Sequence, residues 1–192
     1  MRPWQSWYRP AKRALDVAFA LVLLAPTLIV LAVLSVGSLI FHGRPVFFTQ
    51  SRVGRHGRPF TMVKLRTMTR AKGADRAYRE GHRLTPYGRA IRRLRLDELP
   101  QILHVLTGAM SFVGPRPLMA SHVAEVDGGG RRHQVRPGIT CYAQLELART
   151  GYLDKSDQVT LDERYVDEMS LWTDLRIIGR TLGTVLSMGG AE

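Results

Sequence analysis

Asp97 and Glu98 stand side by side directly after Arg92, Arg93 and Arg95. Adjacent carboxylates among guanidinium groups are able to hold Mg²⁺ and to offer a carboxylate nucleophile to a phosphate ester, while the arginines neutralise the phosphoryl oxygens. The same pair has a plainer use. Asp is a favoured helix N-cap, and Glu in the first turn complements the helix dipole. Taken by themselves, the two residues suit the plainer use better. Two turns add cations: Ser111 to Pro117 is stiffened by Pro115 and Pro117 around Arg116, and Arg136-Pro137-Gly138 repeats the pattern. Both put arginines on loops, where binding residues concentrate. His42, His56, His82, His104, His122 and His133 are scattered without paired ligand spacing, which argues against a metal hydrolase.

These residues need elements to carry them. Pro45 to Gln50 and Phe60 to Leu65 are rich in aromatic and branched residues between glycine or proline, and read as two short strands. Thr85-Pro86 gives an N-cap followed by proline at the first helical position, opening a basic helix to about Leu94. A second helix is expected from near Asp97, with Leu99, Ile102, Leu103 and Leu106 at helical spacing and Gly108 as its stop. Further helices are expected over 161–169 and 171–186. In the last, Trp172, Leu175, Ile178, Leu182 and Val185 share one side, which suits a membrane-surface helix or a core-packed one equally. The stretches 70–83 and 127–132, rich in charge and glycine, read as connectors.

Val17 to Phe41 is uncharged, mostly apolar and interrupted by Pro26. About 20 apolar residues suffice to cross a bilayer, so length permits a span. Arg2, Arg9, Lys12 and Arg13 precede it, however, and Arg44, Arg52, Arg55, Arg58, Lys64 and Arg66 follow it. Positive residues favour the cytoplasmic side, so a spanning helix would export one cluster, whereas a helix that enters and returns exports neither. Pro26 marks the expected break, because proline removes one helical hydrogen bond and clashes with the preceding turn. The stretch is too long for the apolar region of a cleaved signal peptide, so it is expected to be retained.

The 192 residues suit one ordinary domain plus a membrane segment, and the net charge of +12 implies an anionic partner, with lipid the first candidate. Cys141 is the sole cysteine, which excludes an intrachain disulfide and fits a cytoplasm-facing domain. No zinc spacing, recognition helix or interleaved aromatic platform accompanies the charge, so nucleic acid is not expected as a partner. The other readings kept open are a non-catalytic basic membrane scaffold and a membrane-anchored nucleic-acid-binding protein.

The order of features resembles the bacterial sugar transferase family, small monotopic phosphoglycosyl transferases that prime glycan assembly on polyprenyl phosphate. The matching pieces are Lys12-Arg13-Ala14-Leu15-Asp16, Phe48 to Gly54, Lys64-Leu65-Arg66-Thr67-Met68, Leu96-Asp97-Glu98-Leu99-Pro100-Gln101, Ser111 to Pro117, Val135 to Thr140 and Asp162-Glu163-Arg164-Tyr165-Val166. The likeness runs from Lys12 to Leu186, and seven motifs in order make it specific.

The resemblance implies a mainly α fold with a short β element. Residues 1–42 would form a re-entrant helix-break-helix and residues 43–192 a compact cytoplasmic catalytic domain with interfacial amphipathic helices, at the bacterial inner membrane. It implies transfer of a sugar-1-phosphate from a UDP-sugar to undecaprenyl phosphate with release of UMP. Asp97 would be the nucleophile and Glu98 its neighbour at Mg²⁺. Arg92, Arg116 and Arg136, with Lys64 and Arg66, would contact phosphates or the uridine diphosphate. The family commonly has Ser-Pro where this chain has Ala25-Pro26, Gly-Trp where it has Cys141-Tyr142, and Val-Asn-Gly-Arg where Leu145 to Arg149 stand. Larger members carry an extra multi-helix membrane domain before this region, so the chain is expected to be the minimal form. Its sugar, its glycan and its oligomeric state, a homodimer included, are left open.

Overall fold

The computed structural model describes residues 5–69, 84–126 and 130–189. The expected connector at 70–83 and positions 127–129 of the second one lie outside the described residues. The architecture is mainly helical with two small strand pairs.

Helix α1, Gln5–His42, runs unbroken through Pro10 and Pro26. Pro26, the expected break, lies inside the helix, so the helical backbone does not end there. Proline deletes one backbone bond, and helices absorb such a loss by bending rather than ending. At 1.5 Å per residue, 38 residues run ~57 Å, well beyond a ~30 Å hydrocarbon core. By length and composition it is able to cross a membrane.

Both ends of α1 are nevertheless fastened to the rest of the chain. Near its start, the Tyr8 hydroxyl and Lys12 donate to Asp174, Arg13 donates to the carbonyls of Val105 and Leu106, and Asp16 accepts from Ser111 Oγ at 2.8 Å. Near its end, Tyr87 Oη donates to the Leu34 carbonyl at 2.7 Å, Ser38 Oγ donates to the Arg66 carbonyl at 3.1 Å, and Phe41 stacks on Tyr87. Tyr8, Asp16, Ala20, Thr27, Leu31 and Ser38 form one buried stripe along the helix. The other faces are apolar and open: Val22, Ile29, Val33 and Ile40 are each about 70% exposed.

Strands β1 (Phe47–Val53) and β2 (Pro59–Leu65) pair antiparallel, as their composition leads one to expect. Residues opposite in register share a face, and alternation puts Arg52, Met62 and Lys64 together on one of them. Helix α2 (Pro86–Arg93) starts where expected: Thr85 Oγ1 accepts from the Gly88 amide at 2.9 Å and Pro86 takes the first turn.

The next element departs from expectation. Leu96–Gln101 is a 3-10 helix entered through Arg95 in the left-handed region (φ 55°), and the α-helix proper, α3, spans only Ile102–Thr107. Asp97 is thus not an N-cap. Pro100 has no N–H to donate back to Leu96, so an α-turn cannot close there, whereas the Glu98 amide reaches the Arg95 carbonyl at 3.2 Å. Gly108 ends α3 in the left-handed region (φ 85°), as anticipated.

Strand β3 (Ser111–Val113) precedes helix α4 (Ala120–Val126) and pairs in parallel with β4 (Gly138–Thr140). The two turns seen as loops in the sequence are therefore joined. A Cβ on Gly138 would meet the Gly114 amide at 2.1 Å, so this approach requires glycine. Helices α5 (Tyr142–Thr150), α6 (Lys155–Glu168) and α7 (Leu171–Gly189) complete the fold. One core joins Tyr8, Val113, Val135, Tyr165, Val166, Met169 and Ile177; another joins Ala20, Ile102, Val105 and Met110. Each includes a residue of α1. Ile177 is the buried side of α7, while Trp172, Leu175 and Leu182 face out.

Candidate active site

Strand β2 and the 3-10 helix bring together the residues singled out by charge. Lys64 Nζ donates to Glu98 Oε1 at 2.6 Å, both largely buried. Asp97 is only 9% exposed. Burial, the largest influence, and the neighbouring Glu98 push its carboxyl up to about 6, against the pull of Lys64 and Arg92. Arg92, at the end of α2, donates through Nε to Thr67 Oγ1 at 2.7 Å.

Beside this pair lies a cleft lined by Arg52, Met62, Lys64, Glu98, Gln101 and Arg116. Asp97 adjoins the cleft through Glu98 rather than forming its wall. Arg116 is fixed at both sides of its backbone: its amide donates to Asp162 Oδ1 at 3.1 Å, and its carbonyl accepts from Arg132. Arg132 and Asp162 are themselves a buried ion pair at 2.8 Å. Burial raises Asp162 to about 6 against the pull of Arg132, and burial also lowers Arg132. The arrangement holds the Arg116 guanidinium on a rigid turn.

No cluster of three or more His, Cys, Asp or Glu exists among the described residues. Mg²⁺ does not need one, since it commonly takes one or two carboxylates and completes its shell with water and substrate phosphates. Asp97 and Glu98 fit that kind of site.

A family model described as bacterial sugar transferase matches residues 7–188. The chain belongs to that family. The chain is 42% identical to the "Uncharacterized sugar transferase EpsL" of Bacillus subtilis (strain 168), over 94% of this chain and 90% of that protein. It is 40% identical to the UDP-glucose:undecaprenyl-phosphate glucose-1-phosphate transferase of Caulobacter vibrioides, over 94% of this chain and 71% of the relative. The UDP-N-acetylgalactosamine-undecaprenyl-phosphate N-acetylgalactosaminephosphotransferase of Aeromonas hydrophila is 37% identical, with 96% of this chain aligned to 46% of its length. The chain thus spans nearly all of the first relative and less than half of the third.

Not every cation named from sequence reaches the cleft of this sugar transferase. Arg66 is buried at the end of α1, donating to the carbonyls of His42, Gly43 and Arg44. Cations favour helix C-termini because free carbonyls and the dipole's negative end gather there, so Arg66 is a clamp on α1 rather than a wall of the cleft. Arg136 donates through Nε to the Gly108 carbonyl at 2.8 Å, at the end of α3, and lines a different cleft. Arg149 faces solvent and pairs with Glu146 within α5. His104 accepts the Val63 amide at 3.1 Å, a structural use of a histidine.

Other wall residues had no individual signal in the sequence. Arg52 comes from the β1 face and donates to the Pro117 carbonyl at 3.2 Å, and Gln144 lines the cleft from α5. The Gln144 amide hydrogen-bonds to Cys141 Sγ at 3.3 Å, so the cysteine caps α5; burial pushes its thiol up to about 12. Arg52 shares a strand face with Gln50, but the strand expected from composition stops at Gln50. The clamp of Asp162 and Arg132 on Arg116 had no signal either, since it joins separate segments.

Proposed function

We propose that this sugar transferase moves a sugar-1-phosphate from a UDP-sugar to undecaprenyl phosphate and releases UMP, through a covalent intermediate on Asp97. The observation that carries this is the Asp97 carboxyl held among Glu98, Lys64 and Arg92 beside the cleft that presents Arg52 and Arg116. The relatives from Caulobacter and Aeromonas bear names stating transfer to undecaprenyl phosphate, which supports the substrate class. They differ in the sugar named.

In the first half-reaction an Asp97 oxygen attacks the β-phosphorus of the UDP-sugar, a phosphorus–oxygen bond forms, and the anhydride bond to UMP breaks. In the second, a phosphate oxygen of the polyprenyl acceptor attacks the same phosphorus and the bond to Asp97 breaks, restoring the carboxylate. A pKa of about 6 leaves Asp97 ionised at neutral pH yet more basic than an ordinary carboxylate. Arg116 and Arg52 would meet the diphosphate oxygens, where positioned cations stabilise developing charge. Glu98 orients Lys64 toward the same space. Mg²⁺, held by Asp97 and Glu98, would add charge neutralisation at the phosphoryl oxygens.

The reading extends to placement. Tyr8 to Asp16 and Leu34 to His42 are both tied to the same domain, which supports a helix that enters the bilayer and leaves by the same face. Residues 43–192 then form the catalytic domain on the cytoplasmic side. The outward apolar side chains of α1 and those of α7 (Trp172, Leu175, Leu182, Leu186) would share the lipid surface. Such a placement lets a soluble nucleotide-sugar and a lipid phosphate meet at the headgroup plane.

The test is single-turnover incubation with UDP-sugars labelled at the β-phosphate. Label should attach to the wild-type protein, leave on addition of undecaprenyl phosphate, and never attach to Asp97→Asn. Attachment to that variant would refute the nucleophile. Cysteines placed at Arg2 and Arg58 should both resist a membrane-impermeant thiol reagent applied from the periplasm; labelling of either would refute the placement.

A further inference from the structure

A second cleft lies at the start of α1, and it shares no lining residue with the catalytic one. Arg9, Lys12, Arg13, Arg55 and Arg136 line it, against the single lining carboxylate of Asp16. Most of these cations already have protein partners. Lys12 is taken by Asp174, with Asp16 at 3.8 Å; Arg13 and Arg136 serve the carbonyls that end α3. Arg55 donates through Nε to the Gln134 carbonyl at 3.3 Å.

Arg9 differs. Its Nε and Nη2 are both buried with no hydrogen-bond acceptor among the described residues. Those two atoms form one edge of the guanidinium, the edge that meets two oxygens of a phosphate or carboxylate at once. A buried cationic donor without an acceptor is costly, and like charges around it add to that cost. Burial lowers Arg136, and Arg55 and Arg13 push it in the same direction, which marks the cleft as crowded with positive charge. An anion would satisfy both the open edge and the surplus.

We propose that this cleft binds a phosphate group, of the kind an anionic phospholipid headgroup presents, at a site separate from catalysis. Its position argues for lipid over a soluble ion. Arg9 stands about two turns before the apolar run that begins at Val17, and two residues after Trp7, which is 65% exposed as an interfacial aromatic would be. If α1 meets the bilayer as proposed above, the cleft opens at headgroup depth. The site would fix how far α1 enters, adding a specific contact to the general attraction of a +12 chain for anionic lipid.

The test uses the full chain in detergent micelles, with native mass spectrometry to count retained phosphatidylglycerol or phosphatidylcholine, and UMP release measured in parallel. Wild type should retain one phosphatidylglycerol. Arg9→Gln and Arg55→Gln should weaken retention about tenfold, the loss of one charge-assisted contact. Arg9→Lys, which keeps the charge and loses the two-nitrogen edge, should fall with Arg9→Gln. Arg89→Gln, an equal charge change at an exposed position of α2, should bind as wild type does. UMP release should survive in all four variants. Displacement of the lipid by millimolar inorganic phosphate supports recognition of the phosphate itself. Inorganic phosphate bound at Arg9 with no preference for phosphatidylglycerol over phosphatidylcholine keeps the site and makes its ligand soluble. Undiminished retention in Arg9→Gln, or equal loss in Arg89→Gln, overturns the proposal while leaving the transfer reaction untouched.

Discussion

The two basic clefts are built from the same residue types and differ in how the charge is matched. In the one beside Asp97, Lys64 is bonded to Glu98 and Arg92 to Thr67, and two carboxylates sit within the cationic field. In the other, five cations line the cleft with one carboxylate, and the Nε–Nη2 edge of Arg9 has no acceptor among the described residues. In the first, cations oppose the burial that pushes Asp97 up; in the second, most cations are taken by protein groups and Arg9 alone keeps a buried edge without an acceptor among the described residues.

The sharpest break of this comparison is Asp97→Asn, which should reduce UMP release at least about a thousandfold, since it deletes the nucleophile. The same variant should melt at or above the wild-type temperature at pH 8. The folded pKa of about 6 lies above the ordinary 3.8, so the ionised group disfavours the folded state. Its favourable contribution is complete below the unfolded pKa and lost as pH rises through 6, a difference of order 3 kcal/mol. Thermal melts at pH 4 and pH 8 check the sign: the advantage of the asparagine variant should shrink at the lower pH.

Asp162→Asn strikes the support of Arg116. It leaves the buried Arg132 charge unpaired, so the expected loss of stability is roughly 3–5 kcal/mol, read from chemical denaturation. Glu98→Gln should lower turnover about 10- to 100-fold and, by removing a negative neighbour, move the acid limb of the pH–rate profile to lower pH. In the wild type that limb should fall about tenfold per pH unit below 6. Arg149→Ala marks the smallest effect: an exposed intrahelical pair should leave turnover and melting temperature unchanged.

Local signals carried much of the fold. Thr85-Pro86 opens α2 because a cap and a prolyl first turn act within three residues, and Gly108 closes α3 for an equally local reason. The pair of strands at 47–65 followed from composition. Asp97 and Glu98 were legible as chemistry, yet their backbone was not: one missing N–H at Pro100 turns an expected α-helical start into a 3-10 helix. The strands Ser111–Val113 and Gly138–Thr140 are too short to show alternation, so their pairing is set by two glycines that permit close approach. The cations illustrate the general limit. Lys64 lies on β2 and Arg66 just past its end, yet one reaches Glu98 and the other the end of α1, because the sequence does not say which helix terminus lies opposite. Arg136 and Arg116 part company for the same reason.

Arg66 has a mechanical consequence. By gripping the carbonyls at and just past the end of α1, from the residue that follows the strand carrying Lys64, it makes a short strut between that helix and the Asp97–Glu98 pair. A shift or tilt of α1 would drag that strand along, so under the proposed placement the depth of the helix in lipid and the position of Asp97 would change together.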